Sequence, residues 1–127
     1  MLDFAREART GLNEAIFCAG KTVGHIEEIL TQVGARDAHV LLTRLTPEQH
    51  VALPAAQRSR IDYCSLSRTG FFNGAHEAGA RSSVAVVAAG TSDAAVAREV
   101  ARTLRYYGEP AVEITDVGVA GLWRLLE

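Results

Sequence analysis

Val84-Ala85-Val86-Val87-Ala88-Ala89-Gly90-Thr91-Ser92-Asp93 is the stretch that decides the fold of this chain. Its opening residues are continuously apolar and rich in valine, the pattern of a strand covered on both faces in a parallel sheet. A polar loop bearing Gly90 follows at once. The next segment carries Val96, Val100 and Leu104 at four-residue steps, backed by Ala97 and Ala101, and closes with Gly108 and then Pro110, which predicts a helix with a glycine stop. Ala111 to Thr115 reads as a second strand, Asp116 to Gly121 as a second glycine-bearing loop, and Leu122 to Leu126 as the start of another helix. Strand, helix and strand in that order predict a parallel βαβ unit over residues 82–127.

Two parallel strands leave both outer edges unpaired, so this unit is expected to be the incomplete, truncated start of a larger sheet. The alternatives are a partner chain that supplies further strands, or pairing with a sheet formed earlier in the chain. Residues 1–75 read as a separate small α/β domain. After a short polar helix from Asp3 to Ala8, Asn13 to Ala19 reads as a strand. Gly20-Lys21-Thr22 then turns into a helix with Val23, Ile26, Ile29, Leu30 and Val33 at helical spacing, stopped at Gly34. His39 to Thr43 is a buried-type strand. Thr46-Pro47-Glu48-Gln49 has the N-cap, first-turn proline and capping-box glutamine of a helix start. Ile61 to Leu66 and Thr69 to Phe72 read as two more strands, and the small, polar Asn73 to Arg81 as a linker.

With 127 residues, 48% of them hydrophobic, the chain can bury one modest core, or one small domain and part of a second. Thirteen Lys and Arg against fifteen Asp and Glu give a net charge of -2, and the charges are scattered, so nothing marks a nucleic-acid binder. The longest apolar run, Val84 to Ala89, is far short of the roughly 20 residues that cross a bilayer, and the first residues lack a secretory apolar core. We therefore expect a cytoplasmic protein without membrane partners. Cys18 and Cys64 each sit in an apolar run, outside any metal spacing, and read as buried free thiols. His25, His39, His50 and His76 form no pair at metal-ligand spacing and need only solvated or hydrogen-bonded surface roles. Gly20-Lys21-Thr22 invites a P-loop reading, but Ala15 stands where that pattern requires glycine.

Ligands of parallel α/β sheets bind beyond the carboxyl ends of the strands, and both glycine-bearing loops occupy that position. In the first, Gly90 permits a tight turn, Thr91 and Ser92 offer backbone and hydroxyl groups to a phosphate, and Asp93 can accept from ribose hydroxyls. Simple N-capping by Ser92 or Asp93 explains the same residues. In the second, Asp116 ends a strand, and Gly118 and Gly121 allow close backbone approach around it. A carboxylate at Asp116 serves as an acid, a base or another cap.

Ala89-Gly90-Thr91-Ser92-Asp93, a helix ending at Gly108, and then Asp116-Val117-Gly118-Val119-Ala120-Gly121-Leu122, with Arg124-Leu125-Leu126 after Trp123, resemble the start of the PurE-like (flavodoxin-like) domain of the LarB family. Arg6, Arg9, Glu14, Gly20-Lys21-Thr22 and Thr43 to Glu48 are similar to that family's N-terminal domain, so the resemblance covers nearly the whole chain. It implies a pyridinium-3,5-biscarboxylic acid mononucleotide synthase. Such an enzyme carboxylates nicotinic acid adenine dinucleotide with carbon dioxide or bicarbonate and cleaves its phosphoanhydride, with Mg²⁺ for the hydrolytic step. It releases AMP and makes the precursor of the nickel-pincer cofactor of lactate racemase.

The resemblance further implies that Gly90, Thr91, Ser92 and Asp93 bind the phosphate and ribose, with Gly118, Gly121 and Arg124 contributing, and that Asp116 faces the pyridinium. Arg124 pairs with phosphate or carboxylate, or forms an exposed salt bridge. The family's transient cysteine adduct uses a cysteine from a segment absent here, so these 127 residues alone are expected to be inactive, and homo-oligomeric only at full length. Trp123 stands where the family often carries histidine, and either stacks on the substrate ring or packs. The rival readings are a non-catalytic nucleotide-binding module and a PurE-type aminoimidazole ribonucleotide carboxylase or mutase.

Overall fold

The structure, a computed structural model, describes residues 12–118. The chain divides into two compact units, Met1–Ala75 and His76–Glu127, both built from helices and strands. The expected helix at Asp3 to Ala8, and the expected helix start at Leu122, lie outside the described residues.

In the first unit the elements are β1 (Ala15–Phe17), α1 (Val23–Gly34), β2 (Val40–Thr43), α2 (Pro47–Ala52), α3 (Ala55–Arg58), β3 (Ile61–Cys64) and β4 (Thr69–Phe72). The sheet order is β1-β2-β4-β3, with β1 parallel to β2 and the other pairs antiparallel. Helix α1 starts because Thr22 accepts from the amide of His25 at 3.2 Å. The helical spacing of Ile26, Leu30 and Val33 lays one stripe onto Ile16, Val40, Leu42 and Phe72, and these residues form the core. The capping box at α2 forms as expected: Thr46 Oγ1 accepts from Gln49 N at 3.2 Å, and Gln49 Oε1 accepts from Thr46 N at 3.0 Å.

Strand β3 stops at Cys64, two residues short of the expected Leu66, which is exposed in the turn that leads to β4. Ser67 and Thr69 satisfy each other there through a buried hydroxyl pair at 2.8 Å. Asn73 does not open a free linker. Its amide donates to Arg60 O, its Nδ2 donates to Ala38 O at 2.7 Å, and its Oδ1 accepts from Arg60 Nε at 2.8 Å.

The second unit consists of β5 (Val84–Val87), a 3₁₀ turn (Thr91–Asp93), α4 (Ala94–Tyr106) and β6 (Ala111–Ile114). β5 and β6 are parallel, in register from Val84 opposite Ala111 to Val87 opposite Ile114. The helix presents Ala97, Ala101 and Tyr106 inward, while Val96 and Val100 are exposed. The expected valine stripe is thus turned outward. Small side chains at 97 and 101 let the helix sit close to a two-stranded sheet, and the valines project from its other side. Arg98 Nε meets Glu113 Oε2 at 2.8 Å across the same interface.

The strands are covered on one face rather than the expected two: Val87, Val112 and Ile114 remain exposed on the other. The second half of the expected linker is also structured. His76 N donates to Tyr106 O at 2.9 Å and Gly79 N to Gly108 O at 2.8 Å, so this segment folds over the end of α4. No helix among the described residues is long and apolar enough to cross a membrane.

Candidate functional site

Strand pairing continues past the ends of β5 and β6 and sets the geometry of the two glycine-bearing loops. Ala88 N donates to Ile114 O at 2.9 Å, Val117 N to Ala88 O at 3.3 Å and Gly118 N to Ala89 O at 2.8 Å. These bonds bring Asp116 to Gly118 alongside Ala88 to Gly90 at the carboxyl ends of the parallel pair. The chain escapes the strand direction through left-handed residues, Asp116 at φ 59° and Gly118 at φ 69°. Aspartate is one of the few residues with a Cβ that tolerates this region, which gives Asp116 a backbone reason to be there besides a chemical one.

The first loop differs in two respects from its sequence reading. Gly90 lies at φ -129°, ψ 161°, extended backbone open to any residue, and makes no tight left-handed turn. The turn is made after it, where Asp93 N donates to Gly90 O at 3.1 Å and closes the 3₁₀ segment. Neither Ser92 nor Asp93 caps the helix with its side chain: α4 begins with Asp93 at φ -89°, ψ -5°, and no side-chain cap bond forms at either helix start. Thr91, Ser92 and Asp93 are exposed. A Cβ placed on Gly90 would sit 3.6 Å from Ser92 Oγ and 3.8 Å from Asp93 Oδ2, so a hydroxyl and a carboxylate border the space over this glycine.

The structure therefore brings together Gly90, Thr91, Ser92, Asp93, Asp116 and Gly118, on two loops stitched by backbone bonds. Gly121, Trp123 and Arg124 lie outside the described residues. The group carries the hydroxyls of Thr91 and Ser92 and the carboxylates of Asp93 and Asp116, while the amides of Asp93, Val117 and Gly118 are already bonded to the oxygens of Gly90, Ala88 and Ala89. No cluster of three or more His, Cys, Asp or Glu that could hold a metal occurs among the described residues. The bonds from Val117 and Gly118 to Ala88 and Ala89 were not foreseen from sequence.

Cys18 and His50 belong to the first unit's packing and His76 to the second unit's helix end, while His25 is exposed. Cys18 is fully buried, and burial pushes its thiol up to about 11, opposed in part by Lys21. Cys64 is partly exposed rather than buried. His50 departs from the expected surface role: its ring stacks on Tyr63 at 4.1 Å, and its buried Nε2 has no hydrogen-bond partner. Burial first, and then Arg58, hold its pKa below the usual histidine value.

Comparison with known proteins places the first unit. The family described as LarB/PurE-like N-terminal domain matches residues 1–74. Over nearly the full length, 98% of this chain aligns at 27% identity with an uncharacterized protein of Methanocaldococcus jannaschii. The chain spans half the length of that relative.

Proposed function

The chain belongs to the family of the LarB/PurE-like N-terminal domain, and on that premise we propose that it is part of a LarB-like pyridinium-3,5-biscarboxylic acid mononucleotide synthase. The reaction is carboxylation of the pyridinium ring of nicotinic acid adenine dinucleotide by carbon dioxide or bicarbonate, with hydrolysis of the phosphoanhydride and release of AMP. The observation that carries this reading is the meeting of the two loops beyond β5 and β6, with the side chains of Thr91, Ser92 and Asp93 not spent on capping α4.

In this proposal the amides and hydroxyls of Thr91 and Ser92 receive a phosphate. The Asp93 carboxylate accepts from ribose hydroxyls, and Gly90 leaves room for the sugar between Ser92 Oγ and Asp93 Oδ2. Asp116 faces the cationic ring, where a negative charge stabilises the pyridinium and a carboxylate can move a proton as the ring is carboxylated. Gly118 and Gly121 allow close backbone approach around Asp116, and Arg124 pairs with phosphate or carboxylate. Mg²⁺ for the hydrolytic step would bind chiefly through the substrate phosphates and would neutralise charge on the cleaved anhydride. The full-length protein acts in the cytoplasm as a homo-oligomer in this reading.

Titration calorimetry of the purified chain with nicotinic acid adenine dinucleotide and, separately, with aminoimidazole ribonucleotide tests the ligand class. Preferential binding of the dinucleotide, weakened roughly tenfold or more by Asp93→Ala through loss of a charged hydrogen bond, supports the reading. Preference for the ribonucleotide would transfer the site to PurE-type chemistry. Equal affinity of Asp93→Ala and the parent would return Asp93 to a purely structural role. Chromatographic detection of AMP from the full-length protein separates a synthase from a non-catalytic nucleotide binder.

A further inference from the structure

The βαβ unit leaves apolar side chains uncovered in two places, and one arrangement of further chain accounts for both. On the sheet face away from α4, Val87, Val112 and Ile114 are 43–55% exposed. On α4 itself, Val96 is 58% and Val100 43% exposed. Among the described residues β5 and β6 pair only with each other, so each keeps one open edge. Backbone alternation decides which groups line those edges. Ala88 N donates to Ile114 O, so the amides of Ala85 and Val87 point away from β6, and that of Glu113 points away from β5.

The two edges are not alike. At about 100° per residue, Val96 and Val100 fall on one flank of α4 and Arg98, Arg102 and Arg105 on the other, with the buried Ala97 and Ala101 between them. Arg98 Nε meets Glu113 Oε2 of β6 at 2.8 Å. All three arginines line a cleft of about 350 Å³ with Pro110 and Ala111, so the basic flank stands over the outer edge of β6 and the valine flank over that of β5. Charged side chains and a proline at the start of a strand discourage pairing at an edge, whereas a patch of exposed branched apolar side chains marks a surface that a partner covers.

We propose that the outer edge of β5 receives a further parallel strand from the polypeptide that continues in the full-length protein, and that β6 remains the terminal strand of the sheet. This chain spans 50% of the relative it matches, so a protein of that length has the residues to supply the strand. Handedness ties the two exposed patches together, because crossovers between parallel strands are right-handed. The connection from β5 through α4 to β6 lies on one face. A connection from β6 back past β5 crosses the sheet in the opposite direction, so to stay right-handed it lies on the opposite face, over Val87, Val112 and Ile114. The side chains of the new strand that point to the α4 face then meet Val96 and Val100. A strand added beyond β6 would lay its connection on the face that α4 already occupies and leave both patches open. This arrangement does not depend on the chemistry assigned to the loops.

Amide hydrogen exchange, resolved residue by residue in the full-length protein, tests this. The Ala85 and Val87 amides are expected to exchange roughly a hundredfold more slowly than that of Glu113, as bonded interior positions do relative to an open edge. In the same protein Val96→Ala and Val100→Ala are expected to lower Tm through lost burial. At helix positions that stay exposed, alanine is the better helix former and would raise it. Protection at Glu113 with fast exchange at Ala85 and Val87 would place the new strand on β6 and overturn the proposal. So would fast exchange at all three amides, or a Tm that rises in both variants. Protection at Ala85 and Val87 that fades on dilution would make a second copy of the chain the occupant, and not the chain's own continuation, which also removes the proposal.

Discussion

Gly90 and Gly108 look alike in the sequence, each closing an element of the βαβ unit, yet alanine at the two positions should have opposite consequences. Gly108 sits at φ 87°, and an added Cβ would lie 2.5 Å from Glu77 O, closer than any real contact. Left-handed backbone costs an alanine about 1 kcal/mol. The clash can be relieved only by moving residues 76–79, which breaks the bonds from His76 N to Tyr106 O and from Gly79 N to Gly108 O. At about 1 kcal/mol for each hydrogen bond, the total comes to about 3 kcal/mol, or roughly a hundredfold in the opening equilibrium. Gly90 is extended, and its added Cβ would meet Ser92 Oγ and Asp93 Oδ2 at ordinary contact distances of 3.6 and 3.8 Å. Gly90→Ala should therefore stay within about 0.5 kcal/mol of the parent, as changes without a destabilising mechanism do. Amide hydrogen exchange at Ala88 and Gly118, whose N–H groups stitch the two loops, reads both. If Gly108→Ala leaves these amides as protected as in the parent, the assignment of residues 76–79 to this unit is wrong. If Gly90→Ala keeps full protection but loses nucleotide affinity, the space above Gly90 is the ligand's.

The remaining expectations concern the first unit. Gln49→Ala should destabilise it by several kcal/mol in urea unfolding, clearly more than the ~1 kcal/mol expected of Thr46→Ala, because the Gln49 side chain makes three hydrogen bonds at 2.9–3.2 Å, one within the capping box and two that tie α2 to the exit of β1; equal losses would mean that the bonds to Cys18 and Lys21 contribute nothing. The Cys18 thiol holds its proton in the folded chain up to about pH 11, so between the ordinary value of 9.0 and about 11 the native state binds more protons than the unfolded one, and stability present below pH 9 is lost as pH rises. Cys18→Ala should flatten that decline, and iodoacetamide should label Cys64 well before Cys18. His50 titrates below its usual value, so the unfolded chain binds its proton first, and stability present above pH 6.5 is lost as pH falls. His50→Phe keeps a ring on Tyr63 and removes an unpartnered buried nitrogen, so stability at pH 7 should be unchanged or higher, by up to about 1 kcal/mol, with a shallower acid slope; a clear loss would show that Nε2 is satisfied in solution.

Periodicity carried most of the fold. The spacing of Ile26, Leu30 and Val33 and the Thr46–Gln49 box are local signals, and local physics honours them. The misreadings come where partners decide. Val96 and Val100 satisfy a helical stripe as well as Ala97 and Ala101 do, but beneath α4 the described sheet has two strands, and small residues allow the closer approach. Likewise, a run of valines in β5 says that both faces are apolar without saying that both are covered. The polar segment from Asn73 to Arg81 looked like a linker because its composition offers no core. What it offers instead is backbone and amide bonding, at Asn73 to one unit and at His76 and Gly79 to the other.

The candidate sites were legible only where a residue's chemistry and its backbone role differ. Ser92 and Asp93 at a helix start satisfy capping and ligand contact with the same atoms, so spacing alone cannot separate the two uses. The backbone separates them because the 3₁₀ turn after an extended Gly90 starts the helix without a side-chain cap bond, leaving both side chains exposed. Arg44 and Arg68 show the converse. Nothing in their neighbours announces a positive φ, so both pass as ordinary surface cations until the backbone is known. Once it is, the less strained choices at those positions are glycine and asparagine. Ser92 and Asp93, whose side chains do not cap the helix, can be replaced at little cost in stability, and any affinity lost with them belongs to a ligand.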